Sequence, residues 1–176
     1  MTVKRATNTD DPADAPPAGG LSFEGFYKKE HAGLFGALYL ITGNRQEAEE
    51  LMQDAFLKLW ERWNRIRGLE NPTGYLYRTA MNAFRMRRRR LVAAARRTLG
   101  MVPPADAFDA VEDRDAVDRA LAGLPPRQRA ALVLMDLLGF TSDEAAEMLG
   151  IRSATVRVMA SKARAAVRVV LGATNG

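Results

Sequence analysis

Residues 141–164 read TSDEAAEMLGIRSATVRVMASKAR and have the pattern of two short helices joined by a tight turn. Thr141 and Glu144 have the spacing of a capping box at the start of the first helix. Gly150 permits the sharp turn, and Val156 returns an apolar side chain to the core. The pattern predicts a helix-turn-helix, whose second helix can enter the major groove of DNA.

The second of these helices carries basic and hydroxyl side chains that suit phosphates and base edges. Ala160 is expected to lie on the same exposed face. A plain helical hairpin with a solvated basic face is the alternative. The candidate DNA-binding residues are Arg152, Ser153, Thr155, Arg157, Ser161, Lys162 and Arg164.

A second basic region lies upstream, where a predicted helix opens at Pro72 and ends in arginines. Seven arginines fall within residues 85–97, more than the dipole of a helix end needs, so the tract favours a polyanion such as a phosphate backbone. Tyr75 and Asn82 lie among nearby arginines, and such side chains can stack on and hydrogen-bond unpaired bases. The alternative is that Tyr75 and Tyr77 are half-buried core residues.

A further helix is predicted between these features and the amino terminus. Gly43 is expected to end the helix before it, and Asn44 caps it, with Glu47 in the capping-box position. One face is apolar and the other is charged. Because this charged face is partly acidic within a basic region, it suggests a protein partner, although a solvated face is the alternative. The charged face carries Glu49, Glu50, Gln53, Asp54, Lys58, Glu61 and Arg62, and the candidate partner-binding residues among them are Glu50, Gln53, Asp54 and Lys58.

The chain is predicted to be all-α, with two small helical domains joined by a flexible acidic linker and the helix-turn-helix in the second domain. Residues 1–20, rich in Pro, Ala and Asp, are predicted to form a disordered leader. The first domain spans residues 21–97 and includes a loop at residues 64–71. The linker spans residues 98–114, and the second domain spans residues 115–172.

Composition excludes several classes of protein. The chain has no cysteine, so disulfides and thiolate metal sites are excluded. No run approaches the roughly 20 apolar residues of a membrane span, and no secretory signal is present, so we expect a cytoplasmic protein without membrane insertion. The sole histidine, His31, has no convergent acid or serine partner, and we therefore expect no enzymatic activity, cofactor or metal.

Three segments together resemble sigma factors of the sigma-70 type, specifically the small two-domain extracytoplasmic-function group. Residues 48–56, AEELMQDAF, resemble the family's polymerase-docking helix. Residues 71–82, NPTGYLYRTAMN, followed by arginines, resemble its melting and minus-ten-reading segment. Residues 124–164, which begin LPPRQR, resemble its minus-thirty-five-reading module.

The resemblance implies partners and roles. Core RNA polymerase, through its largest and second-largest subunits, and promoter DNA are the implied partners, and an anti-sigma factor is a further one that the family allows. Glu50, Gln53 and Asp54 would contact the clamp helices of the largest subunit. The loop at residues 65–71 would capture a flipped base together with Tyr75 and Asn82. The implied minus-ten residues are Arg65, Arg67, Asn71, Tyr75, Arg78, Asn82, Arg85 and Arg88.

One departure from the family concerns the recognition helix. Val158 and Met159 stand where the family commonly has serine and arginine, which leaves the promoter sequence open. Two other functions compete with this interpretation. A stand-alone helix-turn-helix regulator would leave the arginine tract without a purpose, and an RNA-binding helical adaptor would leave the helix-turn-helix unexplained.

Overall fold

The computed structural model describes residues 21–99 and 116–174, and all regular secondary structure within these two ranges is helical. The leader predicted at residues 1–20 lies outside the described residues, as do residues 100–114 of the predicted linker. A π-helical turn, Val133–Leu137, directly follows the helix that ends at Leu132. The helices are α1 (Phe23–Thr42), α2 (Arg45–Trp60), α3 (Trp63–Ile66), α4 (Pro72–Leu99), α5 (Ala116–Ala122), α6 (Pro126–Leu132), α7 (Ser142–Leu149) and α8 (Ser153–Thr174).

Several helix ends follow local sequence signals. The Asn44 side chain accepts a hydrogen bond from the Glu47 amide at 2.7 Å and so caps α2. Gly43 ends α1 with a φ of 71°, a left-handed conformation that costs glycine little. Thr141 and Glu144 form the predicted capping box at the start of α7. The cap at Asn44, the stop at Gly43 and the box of Thr141 and Glu144 are confirmed, since each depends only on residues close in sequence. The reciprocal half of the box at α2, which Glu47 would supply, stays a prediction.

Two sequence expectations are wrong in detail. The loop predicted at residues 64–71 begins inside a short helix, α3, because Trp63 and Ile66 are both buried and hold this turn against the core. Ala160 is fully buried instead of exposed. It lies one helical turn beyond the buried Val156 and therefore shares its inward face.

One large hydrophobic cluster runs through both described ranges, and a smaller one in the second range consists of Leu121, Leu124 and Ala163. Leu34 of α1 and Phe84 of α4 belong to the large cluster, and so do Leu134 and Leu149 from the second range and Val156 of α8. The helices on either side of the predicted linker therefore pack against each other. Their boundaries at residues 97 and 115 stay predictions.

Arg129 of α6 fastens the second range to the first. Its side chain is fully buried, and its Nε donates to the Ile41 carbonyl oxygen at 2.8 Å while Nη2 donates to the Thr42 carbonyl oxygen at 3.1 Å. Both carbonyls end α1, whose last turn has no basic residue of its own. Since terminal carbonyls lack helical partners and carry partial negative charge, the guanidinium satisfies them and offsets the helix dipole.

Tyr77 of α4 also contacts the second described range. It is 4% exposed and packs edge-on against Phe140, with ring centroids 5.6 Å apart. Burial, followed by the negative charge of Glu30, raises the pKa of Tyr77 from 10.0 to about 12. Folding thus favours the protonated phenol.

We expect Tyr77 to ionise well above the ordinary tyrosine pKa of 10.0. Because its pKa is raised, the stability that it contributes is complete below pH 10 and is lost as the pH rises towards about 12. Near-ultraviolet absorbance titration should resolve a late component among the four tyrosines. Tyr77→Phe should remove that component, and persistence of the late component in this variant would contradict the assignment.

Candidate polymerase and DNA interfaces

The polar face of α2 holds the four residues predicted to bind polymerase. Gln53, Asp54 and Lys58 are exposed, and Glu50 is half-buried. Leu51 and other apolar residues on the opposite face of α2 enter the core, which fixes the polar face outward. The four residues therefore form one surface along about two turns of helix.

An arginine from α4 is tied to this acidic face. Arg87 Nη1 donates to Glu50 Oε2 at 2.5 Å, and Arg87 Nε lies 3.4 Å from Glu47 Oε1. The hydrogen bond from Arg87, followed by one from Gln46, lowers the pKa of Glu50. The sequence suggested a nucleic-acid role for the whole arginine tract, but this arginine joins α4 to α2.

The predicted minus-ten residues lie along α3 and α4. Asn71, Tyr75, Arg78, Asn82 and Arg85 alternate at spacings of four and three, which places them on one face of a helix. The Asn71 side chain also caps α4 by accepting a hydrogen bond from an amide of the first turn at 2.7 Å. Arg85 Nη1 donates to Asn82 Oδ1 at 3.1 Å.

The other minus-ten residues are placed around this face. Arg65 is exposed on α3, and Arg67 is half-buried just beyond it. Tyr75 is half-buried, so part of its side chain packs against the core and the rest is accessible to solvent. The Arg88 guanidinium lies over the Phe84 ring, 5.9 Å from its centroid, and lines a cleft together with Leu149 of α7.

The predicted minus-thirty-five residues are grouped on α8 and in the turn before it. Exposed side chains are Arg152, Arg157, Ser161 and Lys162, and half-buried ones are Ser153, Thr155 and Arg164. Gly150 forms the turn with a φ of 62°. The helix-turn-helix places these side chains on its outer surface, as a recognition helix requires.

Two of these arginines are held by side chains that precede α8. Arg164 makes a bidentate contact with Asp136, at 2.6 Å from Nε and 2.9 Å from Nη2. The hydrogen bonds that Arg164 donates to Asp136, followed by the negative charge of that carboxylate, raise the pKa of Arg164. Arg157 Nη1 donates to Ser142 Oγ at 3.2 Å. Asp136 lies in the π-helical turn, so sequence spacing gave no signal for its partnership with Arg164.

The chain matches two sigma-factor families along its length. Residues 26–101 match Sigma-70 region 2, and residues 114–167 match Sigma-70, region 4. It is 33% identical over 155 residues to the ECF RNA polymerase sigma factor SigM of Mycobacterium tuberculosis, covering 88% of this chain and 79% of SigM. The chain is an extracytoplasmic-function sigma-70 factor. Its resemblance to that family in sequence is thereby confirmed.

Other relatives agree with this assignment. The sigma factor is 27% identical over 150 residues to the RNA polymerase sigma-E factor of Streptomyces coelicolor, covering 84% of this chain and 85% of the relative. Its fold is similar to that of the sigma factor RpoE from Bartonella quintana, which was solved in complex with the anti-sigma factor NepR. That likeness has a TM-score of 0.67 at 22% sequence identity and covers 85% of this chain and 96% of RpoE.

Metal-holding groups and membrane-spanning helices are not found in the described parts of this sigma factor. His31 stacks on Tyr27, and its Nδ1 lies 3.0 Å from the Tyr27 carbonyl oxygen. Within residues 21–99 and 116–174, no three His, Cys, Asp or Glu side chains form a group that could hold a metal ion. None of the helices described is long and apolar enough to cross a lipid bilayer.

Proposed function

We propose that this sigma factor binds core RNA polymerase through α2, contacts the opened minus-ten element with α3 and α4, and reads the minus-thirty-five element with α8. It would act in the cytoplasm as a specificity subunit without catalytic activity of its own. An anti-sigma partner stays a prediction. The observation that carries the proposal is the placement of three polar surfaces on three different helices.

The surfaces differ in ways that suit different partners. The α2 surface is mixed in charge, with Glu50 tied to Arg87, and so suits a protein. The α4 surface combines arginines with Tyr75 and Asn82, which suits unpaired bases. The α8 surface is basic and belongs to a helix-turn-helix, which suits duplex DNA.

Val158 and Met159 are the two residues of the recognition helix that depart from the family pattern, and only one of them faces outward. Val158 is 54% exposed, whereas Met159 is half-buried and packs against the core. Apolar side chains on a recognition helix can contact the methyl group of thymine. We therefore expect Val158, and not Met159, to alter base reading at the minus-thirty-five element.

The proposal is tested by run-off transcription with purified core polymerase and a library of promoter fragments. We expect the chain to form a holoenzyme and to start transcripts from a subset of fragments. A stand-alone regulator would bind duplex DNA but start none, and an RNA-binding adaptor would bind neither promoter nor polymerase. Either result would overturn the proposal.

A further inference from the structure

The first turn of α4 is held by a buried carboxylate of α1. Glu30 is 9% exposed, and its Oε1 accepts a hydrogen bond from Thr73 Oγ1 at 2.9 Å. Lys29 Nζ lies 3.5 Å from the same oxygen. Because burying a carboxylate costs free energy unless it is hydrogen-bonded and paired, these two partners account for the burial of Glu30.

The position of Glu30 also suits the helix that it contacts. Thr73 is the second residue of α4, whose first turn contains no acidic residue of its own. Since the amino terminus of a helix carries partial positive charge, a carboxylate beside it is favourable. The negative charge of Glu30 also acts on Tyr77, whose hydroxyl oxygen lies 3.4 Å from the point where a Cβ on Gly33 would stand. The two helices are therefore close together along the first two turns of α4.

The loop before α4 lies in solvent. Residues 68–71 are all exposed, so burial of this loop does not set where α4 begins. Asn71 caps the helix by accepting a hydrogen bond from the Gly74 amide at 2.7 Å, and a Cβ built on Gly74 would come within 2.6 Å of Asn71 Nδ2. The Asn71 side chain is thus tied to the first turn, and Glu30 holds that turn through Thr73.

We propose that Glu30 is a positioning residue for the minus-ten site. Thr73 lies between Asn71 and Tyr75, two of the residues proposed to contact unpaired bases, so its hydrogen bond to Glu30 sets where their side chains stand. Glu30 is itself buried and acts through Thr73. A site loses binding strength when the residues that support it let its side chains shift by about 1 Å. This inference rests on the proposed function.

The hydrogen bond is tested with Glu30→Met and Thr73→Val, which each remove it and keep a side chain of similar size. The probe is a labelled single-stranded oligonucleotide with the non-template minus-ten sequence of a promoter that the holoenzyme uses in run-off transcription. Each variant holoenzyme should bind this oligonucleotide about three- to tenfold more weakly, less than the full effect of losing one hydrogen bond to a charged group. Affinity for core polymerase and for a duplex minus-thirty-five fragment should be unchanged.

Three further variants serve as rescue and controls. Thr73→Ser keeps a hydroxyl and should retain the oligonucleotide affinity of the wild type. Glu24→Met is the matched control for Glu30→Met, because Glu24 is an exposed acid of the same helix, paired with Lys28 at 2.6 Å. The double variant Glu30→Met with Thr73→Val should lose no more affinity than either single variant, since both changes act through one hydrogen bond.

The outcomes separate positioning from general stability and from the proposed function. Unchanged oligonucleotide affinity in Glu30→Met and Thr73→Val, or additive losses in the double variant, would overturn the inference. Equal losses for the oligonucleotide, the polymerase and the duplex fragment would do the same, because they would indicate a general loss of folded structure. A wild-type chain that starts no transcripts would instead overturn the proposed function, whereas an active wild type with unaffected variants would overturn the inference alone.

Discussion

Asp54→Lys is expected to remove most of the affinity for core RNA polymerase while the chain stays folded. Asp54 is exposed on α2 and lines a cleft of about 390 Å³ between α2 and α4. Reversing a charge within a complementary interface costs about 2 kcal/mol or more, which is at least about 30-fold in affinity. Polymerase binding measured by fluorescence anisotropy should show this loss.

The expected stability of the Asp54→Lys chain follows from its surroundings. Asp54 is exposed, and the new lysine would stand one turn from Lys58 and face Arg87, whose charge Asp54 now attracts. Like-charge contacts at exposed positions cost only about 0.2–0.5 kcal/mol each. Circular dichroism should therefore be unchanged. Glu61→Lys is the control, since Glu61 is an exposed acid at the end of the same helix. A similar loss of affinity in both variants would argue against a specific role for Asp54.

Arg129→Met is expected to have the largest effect on stability. The substitution keeps a long apolar side chain but removes both hydrogen bonds to the end of α1. Hydrogen bonds from a charged donor contribute about 1.5–3 kcal/mol each and do not add fully, so we expect a loss of about 2–4 kcal/mol. For a chain of this size that corresponds to a fall in melting temperature of about 5–15 °C.

Arg127→Met is the matched control, because Arg127 is exposed on the same helix. It should melt within about 2 °C of the wild type, as surface substitutions usually do. Hydrogen exchange should locate the effect of Arg129→Met at the last turn of α1 and in α6. Equal melting of the two variants would contradict the fastening role assigned to Arg129.

The features that sequence predicted well depend on near neighbours. The Asn44 cap, the stop at Gly43 and the capping box of Thr141 and Glu144 each involve residues within four positions of one another. The helix-turn-helix is likewise a local pattern of spacing and small residues. Local preference and final structure agree at these points, so the sequence sufficed.

The features that sequence missed join residues far apart in the chain. Arg87 and Glu50 are separated by 37 positions, and Arg78 and Glu147 by 69. An exposed arginine and an arginine paired across the fold have the same local pattern, so the sequence does not distinguish them. The sequence contained Arg129 only as part of a family motif and did not predict its contact with α1. No residue near Arg129 in the sequence indicates that the end of α1 lacks a basic residue of its own.

The Arg129 contact also has a consequence for the folding kinetics and for the length of the linker. It joins residues 88 positions apart and therefore closes a long loop. The entropy of closing a flexible loop grows slowly, by about 0.6 kcal/mol for each doubling of its length. A few residues inserted between α4 and α5 should thus barely weaken docking, whereas they would add about 3.3–3.6 Å each to the reach of the extended chain. The length of the linker can therefore change during evolution to suit the promoter spacing, with little loss of stability of the contact between the two ranges. We expect this long-range contact to form after the pairs of helices that are neighbours in sequence.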